Sequence, residues 1–264
     1  MSDLRSRLLG AAIFGPIVIS AFYFLPLFPF FLFMCLLALI STWEMVRISK
    51  PKMGYLSLLF AMLSFLFLYF KRYESFVLYL LFSSLLFIAV HIMRKKGDKS
   101  DTPSQILKSV GINIGLSLFI IVPFYYLYAL KELNDIYPLI LLFTIWASDI
   151  CAYFVGKGFG KHVICPDLSP KKTVEGLAGA TFGASVVLVC FSRVLEYRPG
   201  EAFLLGIVLG LIGQAGDVFE SALKRYFGIK DSSKLIPGHG GLLDRMDSFI
   251  FTAPLFYRIL SSKS

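Results

Sequence analysis

The residues best suited to chemistry crowd into 35 positions between Gly213 and Asp247. Five are acidic (Asp217, Glu220, Asp231, Asp244, Asp247) and five are basic (Lys224, Arg225, Lys230, Lys234, Arg245), with a His239-Gly240-Gly241 turn among them. Strongly apolar stretches flank the segment. An ionisable group held within a membrane span costs on the order of several kcal/mol, so it defaults to a functional reading. The types present fit a metal–phosphate site. Carboxylates are hard oxygen ligands for Mg²⁺, cations neutralise phosphate oxygens, and glycine admits close backbone approach.

Spacing sharpens this. Gln214, Asp217, Ser221 and Lys224 follow one another at helical steps, and Glu220 lies three after Asp217 and four before Lys224. Two carboxylates and a lysine therefore share one helix face. Glu220 and Lys224 alone read as a surface i,i+4 pair worth about 0.2–0.5 kcal/mol. Asp217 sits deeper, after an apolar run, and that reading does not cover it. Downstream, Pro237 and Gly238 force a turn, and Gly240 and Gly241 allow left-handed backbone or contact with a ligand. Asp244 and Asp247, three apart, share a face where the next apolar run begins. Helix N-termini favour carboxylates in any case. His239 is open among a base, a phosphate donor and a hydrogen bonder that shapes the loop.

Upstream the pattern recurs. Asp149, Tyr153, Gly156 and Gly160 lie on one face of a helical pattern. The Gly156-Lys157-Gly158-Phe159-Gly160-Lys161 stretch suggests anion binding by backbone N–H groups and lysines. It is not a Walker A loop, because the spacing is wrong and His162 stands where Ser or Thr is needed. In the stretch from Ser169 into the next apolar run, Lys171, Lys172 and Thr173 read as phosphate ligands, with a positive anchor at the membrane edge as the alternative. The basic stretch 94–108 reads as a solvated cytoplasmic loop. Four cysteines without C-x-x-C spacing read as small apolar residues, with no zinc site or disulfide framework.

The elements that must position these groups are membrane helices. The chain of 264 residues is 57% hydrophobic and only 16% charged, with a mean hydropathy of +0.74. Nine apolar stretches are candidate spans: 8–25, 27–46, 54–70, 75–93, 109–130, 135–156, 176–195, 202–223 and 247–261. The expected fold is an all-α polytopic transmembrane bundle forming one domain over 1–264. Residues 1–130 supply mainly scaffold, with Glu44 an isolated charge in the second span, and 131–264 supply the catalytic spans and loops. No cleavage site closes the first apolar run, so it reads as a retained helix. With nine spans and a cytoplasmic N-terminus, 19 lysines and arginines fall inside and 7 outside. The motif-rich loops then face the cytoplasm, in a multi-pass protein of the inner membrane. The net charge of +9 follows from that bias and anionic headgroups, with no need for nucleic acid.

The run from Ser221-Ala-Leu-Lys224-Arg225 through Lys230-Asp231 to Ile236-Pro237-Gly238-His239-Gly240-Gly241-Leu242-Leu243-Asp244-Arg245-Met246-Asp247 resembles the signature of phosphatidate cytidylyltransferases, also called CDP-diacylglycerol synthases. The Ser-Pro-Lys-Lys-Thr-Val-Glu-Gly stretch from Ser169 and the Asp149, Tyr153, Gly156-Lys157 pattern resemble two further features of that family. The likeness is strong over 146–247 and generic before it.

The resemblance implies that the phosphate of phosphatidic acid attacks the α-phosphorus of CTP, giving CDP-diacylglycerol and pyrophosphate in phospholipid biosynthesis. It implies CTP, phosphatidic acid and the bilayer as partners and Mg²⁺ as cofactor. A second cation, monovalent or divalent, and a homodimer stay open. Asp217 and Asp244 would be the principal Mg²⁺ ligands, brought together by the glycine turn, with Asp247 and Glu220 supporting. The catalytic set would be Asp217, Asp244, Lys224, His239 and Asp247. Ser169, Lys171, Lys172, Thr173, Ser221, Arg225, Lys230, Asp231, Gly240, Gly241, Arg245, Asp149 and Tyr153 would bind substrate. A transporter is the rival of another class, but no inverted repeat is visible and the charges crowd one face. Within enzymes, a cytidylyltransferase or kinase acting on another lipid is the second rival.

Overall fold

Apolar runs of 16 to 28 residues satisfy their backbone groups internally as helices, the form a bilayer demands. The computed structural model describes residues 15–51, 54–94, 103–233, 235 and 240–263. Within them the helices are α1 (Gly15–Phe24), α2 (Leu27–Ser49), α3 (Gly54–Tyr69), α4 (Tyr73–Arg94), α5 (Pro103–Leu116), α6 (Val122–Leu133), α7 (Tyr137–Phe159), α8 (Val174–Cys190), α9 (Pro199–Tyr226) and α10 (Phe249–Ser261). A π-helical turn at Ser117–Ile121 joins α5 to α6 in one 31-residue helix, longer at both ends than the expected span. Five helices are long and apolar enough to cross a membrane: α2, α4, α5–α6, α7 and α9. The other four are shorter apolar helices. The protein is thus a nearly all-helical, multi-pass membrane protein.

One small sheet departs from the all-α expectation. Strands β1 (Val163–Cys165) and β2 (Ser169–Thr173) form an antiparallel hairpin pairing Val163 with Thr173 and Cys165 with Ser169. β-Branched Val163, Ile164 and Thr173 around the Pro166-Asp167 turn favour it. The hairpin lies between the expected 135–156 and 176–195 spans.

Contacts divide the chain into two units: Phe31–Tyr125, and the described parts of Met1–Phe30 with Tyr126–Ser264. The first is held by aromatic edges and hydroxyl bonds. Phe60 meets Tyr79 and Phe87, and Phe31 meets Phe65. Ser64 and Ser117 hydroxyls lie 2.9 Å apart, and Asn113 Nδ2 donates to Ser83 Oγ at 3.0 Å. Such bonds hold helices together where apolar faces already prefer lipid.

The second unit carries every described site residue. Small residues bring α7, α8, α9 and α10 into close contact. A Cβ on Gly183 would stand 2.5 Å from the Ala147 carbonyl oxygen of α7, and one on Gly210 would stand 2.7 Å from Thr181 Cα of α8. Gly216 of α9 leaves no room for a Cβ against the Asp247 carbonyl. Lys131, one residue past the expected 109–130 span, is only 3% exposed. Its ammonium donates to the Phe22 carbonyl at 2.9 Å and lies 3.4 Å from an Asp135 oxygen, tying the end of α1 to the α6–α7 turn.

Candidate active site

Two groups of charges meet the α9 face that carries Gln214, Asp217, Ser221 and Lys224. The first is built by β2, α7 and α9. The hairpin exposes Lys171 and turns Lys172 inward. Lys172 Nζ lies 2.7 Å from Asp217 Oδ2 and donates to the Gln214 carbonyl at 3.1 Å. Gln214 Nε2 donates to Asp149 Oδ1 at 3.1 Å, and Ser221 Oγ lies 3.4 Å from Asp217 Oδ1. Asp247, just ahead of α10, accepts the Ser248 N–H at 2.7 Å. Burial pushes the Asp247 carboxyl above its ordinary value, and the neighbouring Asp217 and Asp149 charges push the same way.

The second group is Glu220, Lys224 and Asp244. Lys224 Nζ lies 2.6 Å from Glu220 Oε2 and 3.0 Å from Asp244 Oδ1. Glu220 is buried, and its Oε1 has no hydrogen-bond partner. Asp244, in a 3-10 turn at Leu243–Arg245, accepts the Ser232 N–H on both oxygens, at 3.2 and 3.0 Å, and the Gly241 N–H at 2.8 Å. Burial works against this charge, but the Gly241 N–H, Lys224 and the Ser232 N–H outweigh it and hold the carboxyl below its ordinary value. Gly240 is required here. Its φ of +83° is left-handed, and a Cβ would stand 2.5 Å from Asp244 Oδ2.

Asp217 and Asp244 thus have separate partners as they stand, while the resemblance implies one shared centre. Tyr153 is 59% exposed, with Lys157 Nζ 5.7 Å from its ring centre, and is not joined to Asp149 by those contacts. Gly156 and Gly160 lie against Thr173, whose hydroxyl accepts the Gly176 N–H at 3.1 Å and caps α8. Ser169 opens β2, half-buried. Lys171, Arg225, Lys230, Asp231 and Arg245 are exposed. Arg225 donates to the Ile229 carbonyl at 3.1 Å, and the Arg245 charge acts on Asp149. His239 and Lys234 lie outside the described residues.

Three partners were not in the expected set. Gln214 shares the Asp217 face and was visible by spacing. Ser232 contributes through its backbone N–H, which side-chain chemistry does not reveal. Glu175 accepts the N–H groups of Lys161 and His162 and meets His162 Nδ1 at 2.7 Å, clipping the hairpin to the first turn of α8.

Among the described residues no three His, Cys, Asp or Glu side chains converge to hold a metal ion as they stand. The donor chemistry of the first group nonetheless suits a hard cation. Asp149, Asp217 and Asp247 are hard carboxylates, the first and second repel the third, and the Lys172 ammonium already sits on Asp217. Asp244 reaches a metal only if its present donors leave.

The cytidylyltransferase family profile matches residues 5–262. Among curated relatives, the phosphatidate cytidylyltransferase of Bacillus subtilis (strain 168) is 34% identical over 278 aligned residues, covering 99% of each chain. That of Aquifex aeolicus (strain VF5) is 46% identical over 136 residues, 51% of each chain. That of Staphylococcus aureus (strain COL) is 40% identical over 139 residues, covering 52% of this chain and 54% of the relative. With a match that runs through both units and across the whole constellation around Asp217 and Asp244, the chain belongs to the cytidylyltransferase family.

Proposed function

We propose that the protein transfers the cytidylyl group of CTP to phosphatidic acid, yielding CDP-diacylglycerol and pyrophosphate for phospholipid synthesis. The observation that carries this reading is the chain Lys172–Asp217 and Lys172–Gln214–Asp149, with Asp247 beside it, at the ends of membrane helices. There an amphiphilic acid and a water-soluble nucleotide can meet. The names of the relatives point to the same substrates.

A lipid phosphate oxygen forms a bond to the α-phosphorus of CTP as the bond from that phosphorus to the β-phosphate bridging oxygen breaks. The electron pair leaves with pyrophosphate. No covalent enzyme intermediate is needed, and the protein's task is positioning and charge neutralisation. Asp217 and Asp247, with Asp149 adjacent, would hold Mg²⁺, which when bound offsets triphosphate charge and the charge building on the leaving group. Lys172, freed from Asp217 by that exchange of cations, would turn to a phosphate oxygen. Lys171, Lys230 and Arg245, exposed around the site, would draw in the triphosphate. Asp244, with Lys224 and Glu220 behind it, would fix the Ser232 and Gly241 backbone beside it.

Purified protein given CTP, phosphatidic acid and Mg²⁺ is expected to release pyrophosphate only when all three are present. Release from CTP and water alone, or none with any phospholipid acid, defeats the reading. Nine crossings with a cytoplasmic N-terminus, in the inner membrane, complete the proposal. Cysteines introduced at Ser233 and Ser262 are then labelled from opposite sides, and labelling of both from one side rules out an odd number of crossings.

A further inference from the structure

Gln214 is a neutral residue among charges. It shares the α9 face with Asp217, Ser221 and Lys224, and across from it on α7 stands Asp149. Its side-chain Nε2 donates to Asp149 Oδ1 at 3.1 Å. Its backbone carbonyl accepts Lys172 Nζ at 3.1 Å, the same ammonium that lies 2.7 Å from Asp217 Oδ2. One residue thus touches both arms of the carboxylate group, one through its side chain and the other through its main chain. It lies outside the run from Ser221 to Asp247 that carries the family likeness, and the transfer reading gives it no task of its own.

The type of residue matters here. Asp149 is exposed and Gln214 half-buried, and among the described residues Gln214 is the one hydrogen-bond donor to that carboxylate. An aspartate carboxylate turns easily about its last bond, whose torsion has broad, two-fold wells. A donor on one oxygen restrains that rotation and leaves the other oxygen for a further partner. A lysine at this position would restrain it too, but its full charge would compete with any divalent cation. A second carboxylate would repel Asp149. An amide orients without neutralising. Outer partners that hydrogen-bond a metal-binding carboxylate in this way commonly set its affinity for the metal.

We propose that Gln214 is a positioning residue, whose amide fixes the Asp149 carboxylate for the divalent cation of the transfer reaction. The proposal rests on the transfer reading above, which supplies the cation, and adds an order of action to it. Gln214 does not touch the cation and works only through Asp149.

The test is Mn²⁺ binding to the purified full-length protein, followed by electron paramagnetic resonance without CTP or lipid, with Mg²⁺ as competitor. Gln214→Met keeps the length and helix propensity of the side chain but removes the donor. It is expected to weaken Mn²⁺ binding by about 10- to 100-fold. Asp149→Asn is expected to weaken it at least as much. The double variant loses no more than Asp149→Asn alone, because nothing is left for residue 214 to orient. In pyrophosphate release, Gln214→Met raises the Mg²⁺ concentration for half-maximal rate by the same factor, while kcat at saturating Mg²⁺ and the KM for CTP stay near wild type. Mn²⁺ binding by Gln214→Met equal to wild type overturns the assignment, and so does a double variant showing the full product of the two losses. A rise in the KM for CTP that saturating Mg²⁺ does not reverse places Gln214 on the nucleotide and overturns it too. Unchanged Mn²⁺ binding in Asp149→Asn, which leaves α9 as it is, overturns it independently. A wild type that binds Mn²⁺ but releases no pyrophosphate from CTP and phosphatidic acid defeats the transfer reading, while the binding comparison still judges Gln214.

Discussion

Asp217 and Asp244 are the same chemical group on one stretch of sequence, but the fold equips them differently. Asp217 has one ammonium at 2.7 Å and a long hydroxyl contact at 3.4 Å. Asp244 has an ammonium and two backbone N–H groups, one of them reaching both its oxygens. A carboxylate with spare lone pairs beside other carboxylates can take up a new cation. One already surrounded by donors organises its neighbours instead. Under the proposed function Asp217 would belong to the chemistry and Asp244 to the scaffold that keeps the chemistry in register.

The largest effect is expected from removing both charges. If the groups serve separate ends, Asp217→Asn with Asp244→Asn multiplies the two losses, to about 1,000-fold in turnover. A double variant no worse than the weaker single would mean that both act on one metal. Asp217→Asn alone is expected to lose at least about 100-fold, as for one key electrostatic group, while eluting and melting like wild type. Near-normal turnover at limiting Mg²⁺ would remove Asp217 from the site. Asp244→Asn is expected to cost about tenfold. It should also expose the backbone at Ser232 and Gly241 to protease, because a neutral amide accepts the Lys224 and N–H bonds less well. A 100-fold loss with no new cleavage would reverse the assignment. The smallest change, about twofold to fivefold, is expected for Glu175→Gln, which weakens the clip holding the hairpin and so Lys172. A shift in the KM for CTP larger than that in kcat would show instead that the hairpin touches the nucleotide.

Much of this was legible before any coordinates. Helix periodicity alone put Gln214, Asp217, Ser221 and Lys224 on one face, because a rigid helix converts spacing into direction. Apolar runs located the helices for the reason that a bilayer leaves the backbone few alternatives. The unread parts depend on distant residues. Nothing local says that Lys172 meets Asp217 across 45 positions, or that Asp244 will be saturated by the N–H groups of Ser232 and Gly241. Nor does spacing say that one helix face holds two environments: Gly156 and Gly160 pack on Thr173, while Tyr153 remains exposed.

The bond from Gln214 to Asp149 joins residues 65 positions apart, on two different helices. At the roughly 5–20 residues per second of synthesis, Asp149 is made some 3–13 seconds before its partner. During that interval α7 carries an acid whose Gln214 partner does not yet exist, so it is a poor candidate for release into lipid alone. The insertion machinery must hold it, or admit it together with α8 and α9. The order of birth of these helices is thereby tied to a polar contact of the mature protein.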